Sequence, residues 1–108
     1  MRLQKRFKFE HPTRPGAVFA YGVDHALPGA FFAELREGRR VIAFDGLSPG
    51  YDAYGATLEQ TLHWLSEHGA YSREDLQDLL LIRERGERVP ERLRLVAEVV
   101  ANMLTAAD

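Results

Sequence analysis

The chain has 108 residues, of which 45% are apolar and 28% charged, with a formal net charge of −2 and no cysteine. A domain of this length can bury about two thirds of the surface of its unfolded chain, so it needs no disulfide or metal to fold. The lack of cysteine excludes a disulfide framework, a thiolate zinc site, an iron–sulfur cluster and a cysteine nucleophile.

The apolar runs in the sequence are short. The longest span only a few residues, whereas a helix that crosses a bilayer needs about 20. The charged amino terminus also lacks the apolar segment of a signal peptide. We therefore expect a cytoplasmic protein that does not contact a membrane.

Residues 1–46 have the two-residue period of half-buried strands, in four segments separated by turns. Proline and glycine mark the turns in HPTRPG and DHALPG, and glycine marks the turn in REGRR. We predict an antiparallel meander of four strands, in which each strand pairs with the next along the chain. Its core face is assigned to alternate apolar residues: Phe19, Tyr21, Val23, Phe31, Ala33, Leu35, Ile42 and Phe44.

The turn at Gly38 decides which side chains of the third and fourth strands meet. Partners across an antiparallel pair share a face, so an even-numbered loop is needed to bring the two apolar faces together. We therefore predict that Phe31 lies near Phe44 and that Ala33 lies near Ile42.

Three helices are predicted in residues 56–106 from the helical spacing of apolar side chains and from boundary residues. The boundary residues are a capping box, a second side-chain cap, a capping glycine and a first-turn proline: Thr57 with Gln60, Ser72, Gly86 and Pro90. A Gly-rich loop at residues 47–55 connects the sheet to these helices. The predicted fold is a single α+β domain over residues 1–108, with the three carboxy-terminal helices packed on one face of the amino-terminal four-stranded antiparallel meander.

The last predicted helix has an unusually broad apolar stripe, which includes Leu93, Val96, Val100 and Met103. Such a stripe is either packed deeply within one chain or shared with a second subunit. The second possibility would give a homo-oligomer that associates through these four residues.

The sequence contains no recognisable catalytic or metal-binding pattern. His63 and His68 are five residues apart, which places them about 140° apart around a helix and prevents chelation of one metal. His11 and His25 lie in turns, where we expect solvated side chains. We therefore predict no metal site, no cofactor and no catalytic residue, with a small active site around His25 as a third hypothesis.

Residues at the ends of the strands form the leading candidate for a binding surface. These are Asp24 and His25 with Tyr51, Asp52 and Tyr54 in the Gly-rich loop. Tyrosines in such loops are common anchors of recognition surfaces, although they also serve as pegs that pack against a core. The leading hypothesis is a non-enzymatic protein-interaction or regulatory module that self-associates.

The alternative hypothesis is a nucleic-acid-binding protein that uses the first strand. Residues 1–50 contain eight basic and five acidic residues, and the basic side chains of Arg2, Arg6, Lys8 and Arg14 could face phosphate. Residues 65–80 resemble the helix-turn-helix opening of winged-helix regulators, although an apolar helix follows where a polar recognition helix is expected. A solvated edge strand would explain the same basic face.

Overall fold

A computed structural model describes residues 4–24, 30–45 and 57–107 of the chain. Its four strands form one antiparallel sheet in sequence order: β1 (Gln4–Glu10), β2 (Ala17–Asp24), β3 (Ala30–Glu37) and β4 (Arg40–Asp45). Three α-helices follow, the last preceded by a 3₁₀ turn at Glu91–Leu93: α1 (Leu58–Glu67), α2 (Arg73–Arg85) and α3 (Arg94–Ala107). The predicted α+β fold with an antiparallel meander is confirmed.

The core lies between the inner face of the sheet and the helices. Helix α1 packs on β3, and α3 packs on β2. The predicted core face of β2 and β3 is confirmed, because its alternate apolar residues are all buried together with helix side chains such as Leu65, Leu79 and Met103. None of the described helices is both long and apolar enough to cross a bilayer.

The helix boundaries follow the predicted capping chemistry. At α1, the backbone amide of Gln60 donates to Thr57 Oγ1 at 3.1 Å. The backbone amide of Thr57 in turn donates to Gln60 Oε1 at 2.9 Å, which completes the capping box. At α2, the Asp75 amide donates to Ser72 Oγ at 3.0 Å. The same helix ends at Gly86, which has a φ of +69°.

The predicted register of β3 and β4 is wrong beyond the turn. The two-residue turn at Gly38 and Arg39 is even, as predicted, because Glu37 pairs with Arg40. A β-bulge at Ile42 then shifts the pairing, so that Ala33 pairs with Asp45 instead of Ile42. Phe44 pairs with Glu34, not Phe31, and lies on the outer face of the sheet. One extra residue in a strand moves every later side chain to the opposite face.

The broad apolar stripe of the last helix packs within the single chain, which is the first of the two possibilities that the sequence left open. Leu93, Val96, Val100 and Met103 are each 2% exposed or less within the single chain. The stripe is broad because α3 contacts two elements, β2 and α2, rather than one. These four side chains are therefore not available to a second copy.

Candidate functional site

The predicted binding surface at the strand ends falls mostly outside the described residues. Asp24 is the last residue of β2, where it pairs with Gln4 and Ala30. His25, Tyr51, Asp52 and Tyr54 lie outside the described residues, so this surface stays a prediction.

Two of the four basic residues predicted to face phosphate are held by carboxylates. Arg6 forms an ion pair with Glu34, and Arg14 Nε lies 2.5 Å from Glu37 Oε1. Lys8 is exposed, and Arg2 lies outside the described residues. The positive charge of β1 is therefore partly neutralised within the chain.

Glu34 is the centre of a charged cluster on the outer face of the sheet, although its exposed fraction is only 5%. Arg6 pairs with its carboxylate and also lies over the Phe32 ring, 5.3 Å from the ring centroid. Arg36 Nε approaches Glu34 Oε1 at 3.1 Å, within ion-pair distance but without hydrogen-bond geometry. With two guanidinium groups and one carboxylate, the cluster carries one net positive charge.

Two apolar side chains of β4 lie next to this cluster, and the bulge is what brings the second of them, Phe44, to the outer face. Val41 pairs with Arg36 and Phe44 pairs with Glu34, so both lie on the outer face of the sheet. Their exposed fractions are 41% and 49%. We call Val41, Phe44 and Arg36 the rim patch. The rim patch could not be predicted, because every residue in VIAF is apolar and such a pattern does not locate a bulge.

The prediction that His11 is a solvated turn residue is wrong. Its side chain joins the β1–β2 turn to the end of α1. Its Nδ1 accepts hydrogen bonds from the backbone amides of Thr13 and Arg14, each at 3.1 Å. The proton is therefore on Nε2, which donates to the His68 carbonyl oxygen at 3.0 Å. The ring also stacks on Phe19, with 5.1 Å between centroids. This role is structural, and no cluster of three metal-ligating side chains occurs in the described part of the chain.

A cleft of about 140 Å³ lies between β1 and α3. Its lining combines aromatic and aliphatic side chains with three polar residues: Phe7, Phe9, Tyr21, Leu95, Val99, Lys8, Glu98 and Asn102. Asn102 Nδ2 donates to Tyr21 Oη at 2.9 Å. Burial raises the pKa of Tyr21 and the Glu98 carboxylate raises it further, whereas the Asn102 hydrogen bond lowers it.

Tyr71 makes stability sensitive to alkaline pH. Its hydroxyl donates to the Leu62 carbonyl oxygen at 2.8 Å, and burial is the main cause that raises its pKa above the ordinary value of 10.0. Above about pH 10, the unfolded chain loses this proton while the folded chain keeps it, so the free energy of unfolding falls as pH rises. The decline from one such group is at most about 1.4 kcal/mol per pH unit.

We expect Tyr71→Phe to flatten this alkaline decline. The variant should lose about 1 kcal/mol near neutral pH, because the hydrogen bond to Leu62 is absent. Urea unfolding from about pH 7 to about pH 11 measures both effects. An unchanged slope above about pH 10 would show that Tyr71 is not the group responsible.

Three features of the described residues are not part of the packed hydrophobic core: the Glu34 cluster, the rim patch and the cleft between β1 and α3. The first two adjoin each other on the outer face of the sheet, and the cleft lies on the inner side at the β1 edge. No family model matches this chain, and neither a curated protein nor a solved structure shows significant similarity to it.

Proposed function

We propose that this chain is a non-enzymatic protein-interaction module whose partner docks on the rim patch. The observation that carries the proposal is the bulge at Ile42, which brings Phe44 to the outer face, where Val41 and Arg36 also lie. Bulges commonly re-aim a side chain at the edge of a sheet. Here the re-aimed side chain is an aromatic ring with half of its surface exposed.

The composition of the rim patch suggests the chemistry of its partner. Phenylalanine and arginine are enriched at protein interfaces, where the ring supplies buried area and the guanidinium binds carboxylates. The adjoining Glu34 cluster adds one net positive charge through Arg6 and Arg36. The best fit is an extended segment of another protein that combines an apolar side chain with aspartate or glutamate.

Selection from a displayed library of random peptides tests this proposal. We expect the wild-type chain to enrich peptides that combine acidic and aliphatic residues, and Phe44→Ala and Val41→Ala to lose that enrichment. Because each residue is less than half exposed, each variant should lose about 1 kcal/mol of stability and stay folded.

Leu81→Ala is the matched control, because Leu81 on α2 is 44% exposed but lies away from the sheet. It should leave peptide enrichment unchanged. Enrichment that survives Phe44→Ala, or that is lost equally in Leu81→Ala, would exclude the rim patch as the docking site.

The same variants separate two other partners. Self-association through the rim patch would appear in light scattering as a dimer that Phe44→Ala dissociates. Nucleic-acid binding through β1 would weaken steeply from low to moderate salt and would be lost on replacing Arg6 and Lys8. The nucleic-acid alternative is less favoured, because Arg6 and Arg14 are already paired with carboxylates.

A further inference from the structure

We infer that the partner segment binds as a fifth strand of the sheet, antiparallel to β4 on the side that faces away from β3. This inference rests on the proposed function, because it specifies how the extended segment docks at the rim patch. In this mode of recognition, the main chain of an edge strand supplies affinity and its side chains supply specificity.

The main chain of β4 is arranged for such pairing. β4 lies at one end of the strand order, and β3 is its one partner among the described strands. Glu37 and Arg40 flank the two-residue turn, so this pair exchanges main-chain hydrogen bonds, and such pairs alternate with pairs that do not. Val41 and Phe44 belong to the second kind, because their β3 partners are one and three residues before Glu37. Their amide and carbonyl groups therefore point toward the edge of the sheet.

The side chains of β4 also favour an added strand. Val41 and Phe44 are 41% and 49% exposed, so the two residues whose main chain points to the edge also offer apolar side chains to solvent. Edge strands usually carry charged side chains that oppose pairing with another chain. At the other edge, β1 has this protection, because Arg6 and Lys8 alternate along its outer face. The two edges thus differ, and β4 is the one suited to a partner strand.

Arginines at the β3–β4 turn determine the charge and direction of the added strand. Arg39 and Arg40 are exposed there, and Arg36 lies partly exposed on the adjoining end of β3. Antiparallel pairing matches the rest of the sheet and is slightly more stable per residue than parallel pairing. Because β4 runs away from the turn, an antiparallel partner brings its carboxy-terminal end to these arginines. The partner is therefore a short segment in which acidic residues follow alternating apolar ones.

Hydrogen exchange measured by NMR tests the pairing. The probe is a synthetic peptide of alternating valine and threonine that ends in two glutamates, with both termini blocked. At saturation, exchange of the Val41 and Phe44 amides should slow by at least about tenfold, because each amide gains an acceptor on the peptide. The Arg40 amide already faces β3 and should change little. If the probe leaves exchange of Val41 and Phe44 unchanged, strand addition is overturned.

Peptides with methylated main-chain nitrogens distinguish strand addition from docking by side chains alone. In an added strand, alternate amides of the peptide face β4 and the others face solvent. Methylating one alternate set should weaken binding by at least about tenfold, whereas methylating the other set should leave it unchanged. If Phe44→Ala abolishes binding but neither set matters, the rim patch is the docking site and strand addition is excluded. If the probe binds Phe44→Ala as tightly as wild type, the proposed function itself fails.

Two further comparisons test the direction and the charge. A peptide of reversed sequence, with its glutamates first, should bind at least about threefold more weakly, because its carboxylates lie far from the turn. Arg39→Gln should weaken binding of the original probe to a similar extent. Arg88→Gln removes the same charge from the exposed connector between α2 and α3 and should leave binding unchanged. Equal binding of the two peptides would contradict the antiparallel assignment, and equal effects of the two variants would contradict the role of the turn.

Discussion

Gly69→Ala is expected to lower the free energy of unfolding by about 2–3 kcal/mol. Gly69 has a φ of +93°, which a residue with a side chain rarely adopts. A Cβ atom there would also lie 2.8 Å from His11 Nε2. The imidazole cannot swing away freely, because its two nitrogens bind Thr13, Arg14 and the His68 carbonyl oxygen. The variant therefore combines backbone strain with the loss of a hydrogen bond.

Gly86→Ala separates the two contributions. Gly86 also has a positive φ, of +69°, but a Cβ atom added there would meet nothing within 4 Å. It should cost only the backbone term, about 1–2 kcal/mol. Urea unfolding of the two variants measures the difference.

His11→Asn provides the second control. An asparagine oxygen can still accept the Thr13 and Arg14 amides, but its side chain is too short to reach Gly69 or the His68 carbonyl oxygen. In this background, Gly69→Ala should cost no more than Gly86→Ala. If the effects of His11→Asn and Gly69→Ala were simply additive, the contact between them would not limit residue 69.

Glu34→Ala should destabilise the chain by about 2–3 kcal/mol. Removing one partner of a fully buried ion pair costs about 3–5 kcal/mol, because the other charge is left without compensation. Here the cost should be lower, since the side chains of Arg6 and Arg36 are 36% and 41% exposed and water can reach them. The two guanidinium groups would then face each other without the carboxylate between them.

Glu37→Ala is the matched control. Glu37 is also on β3 and pairs with an arginine, Arg14, but its side chain is 40% exposed. It should cost less than about 1 kcal/mol, as surface ion pairs usually do. Denaturant unfolding of both variants compares them directly. If Glu34→Ala cost no more than Glu37→Ala, the Glu34 cluster would have no structural role beyond that of a surface pair.

Local chemistry explains which features of the fold could be predicted from sequence. The caps at Thr57, Ser72 and Gly86 depend on residues at most five positions away, so the sequence contains all the groups involved. The alternation in β2 was equally informative, because it separates the large core side chains of Phe19 and Tyr21 from the small residues Ala20 and Gly22 on the other face.

Features that depend on distant contacts could not be predicted in the same way. The bulge at Ile42 moves Phe44 to the outer face, yet an all-apolar strand has no alternation that would locate the extra residue. His11 meets His68 across 57 positions, and nothing near His11 indicates that partner. The apolar stripe of α3 could not by itself distinguish packing within the chain from packing against a second subunit.

For Glu34, the sequence did contain a signal of the ion pair on the outer face of the sheet. It is the only acidic residue within AFFAEL, and Arg36 stands two positions further along the same face of β3. An acid at such a position suggests an ion pair on the sheet. The second partner, Arg6, is 28 positions away, and only the pairing of β1, β2 and β3 brings it close.

The hydrogen bond between Asn102 and Tyr21 joins residues 81 positions apart and has a consequence for synthesis of the protein. All four strands leave the ribosome well before α3, at roughly 5–20 residues per second. During that interval the aromatic face of β2 lacks the helix that covers it in the folded chain. Holdase chaperones should therefore bind nascent chains that end before Arg94 and release them once α3 has docked.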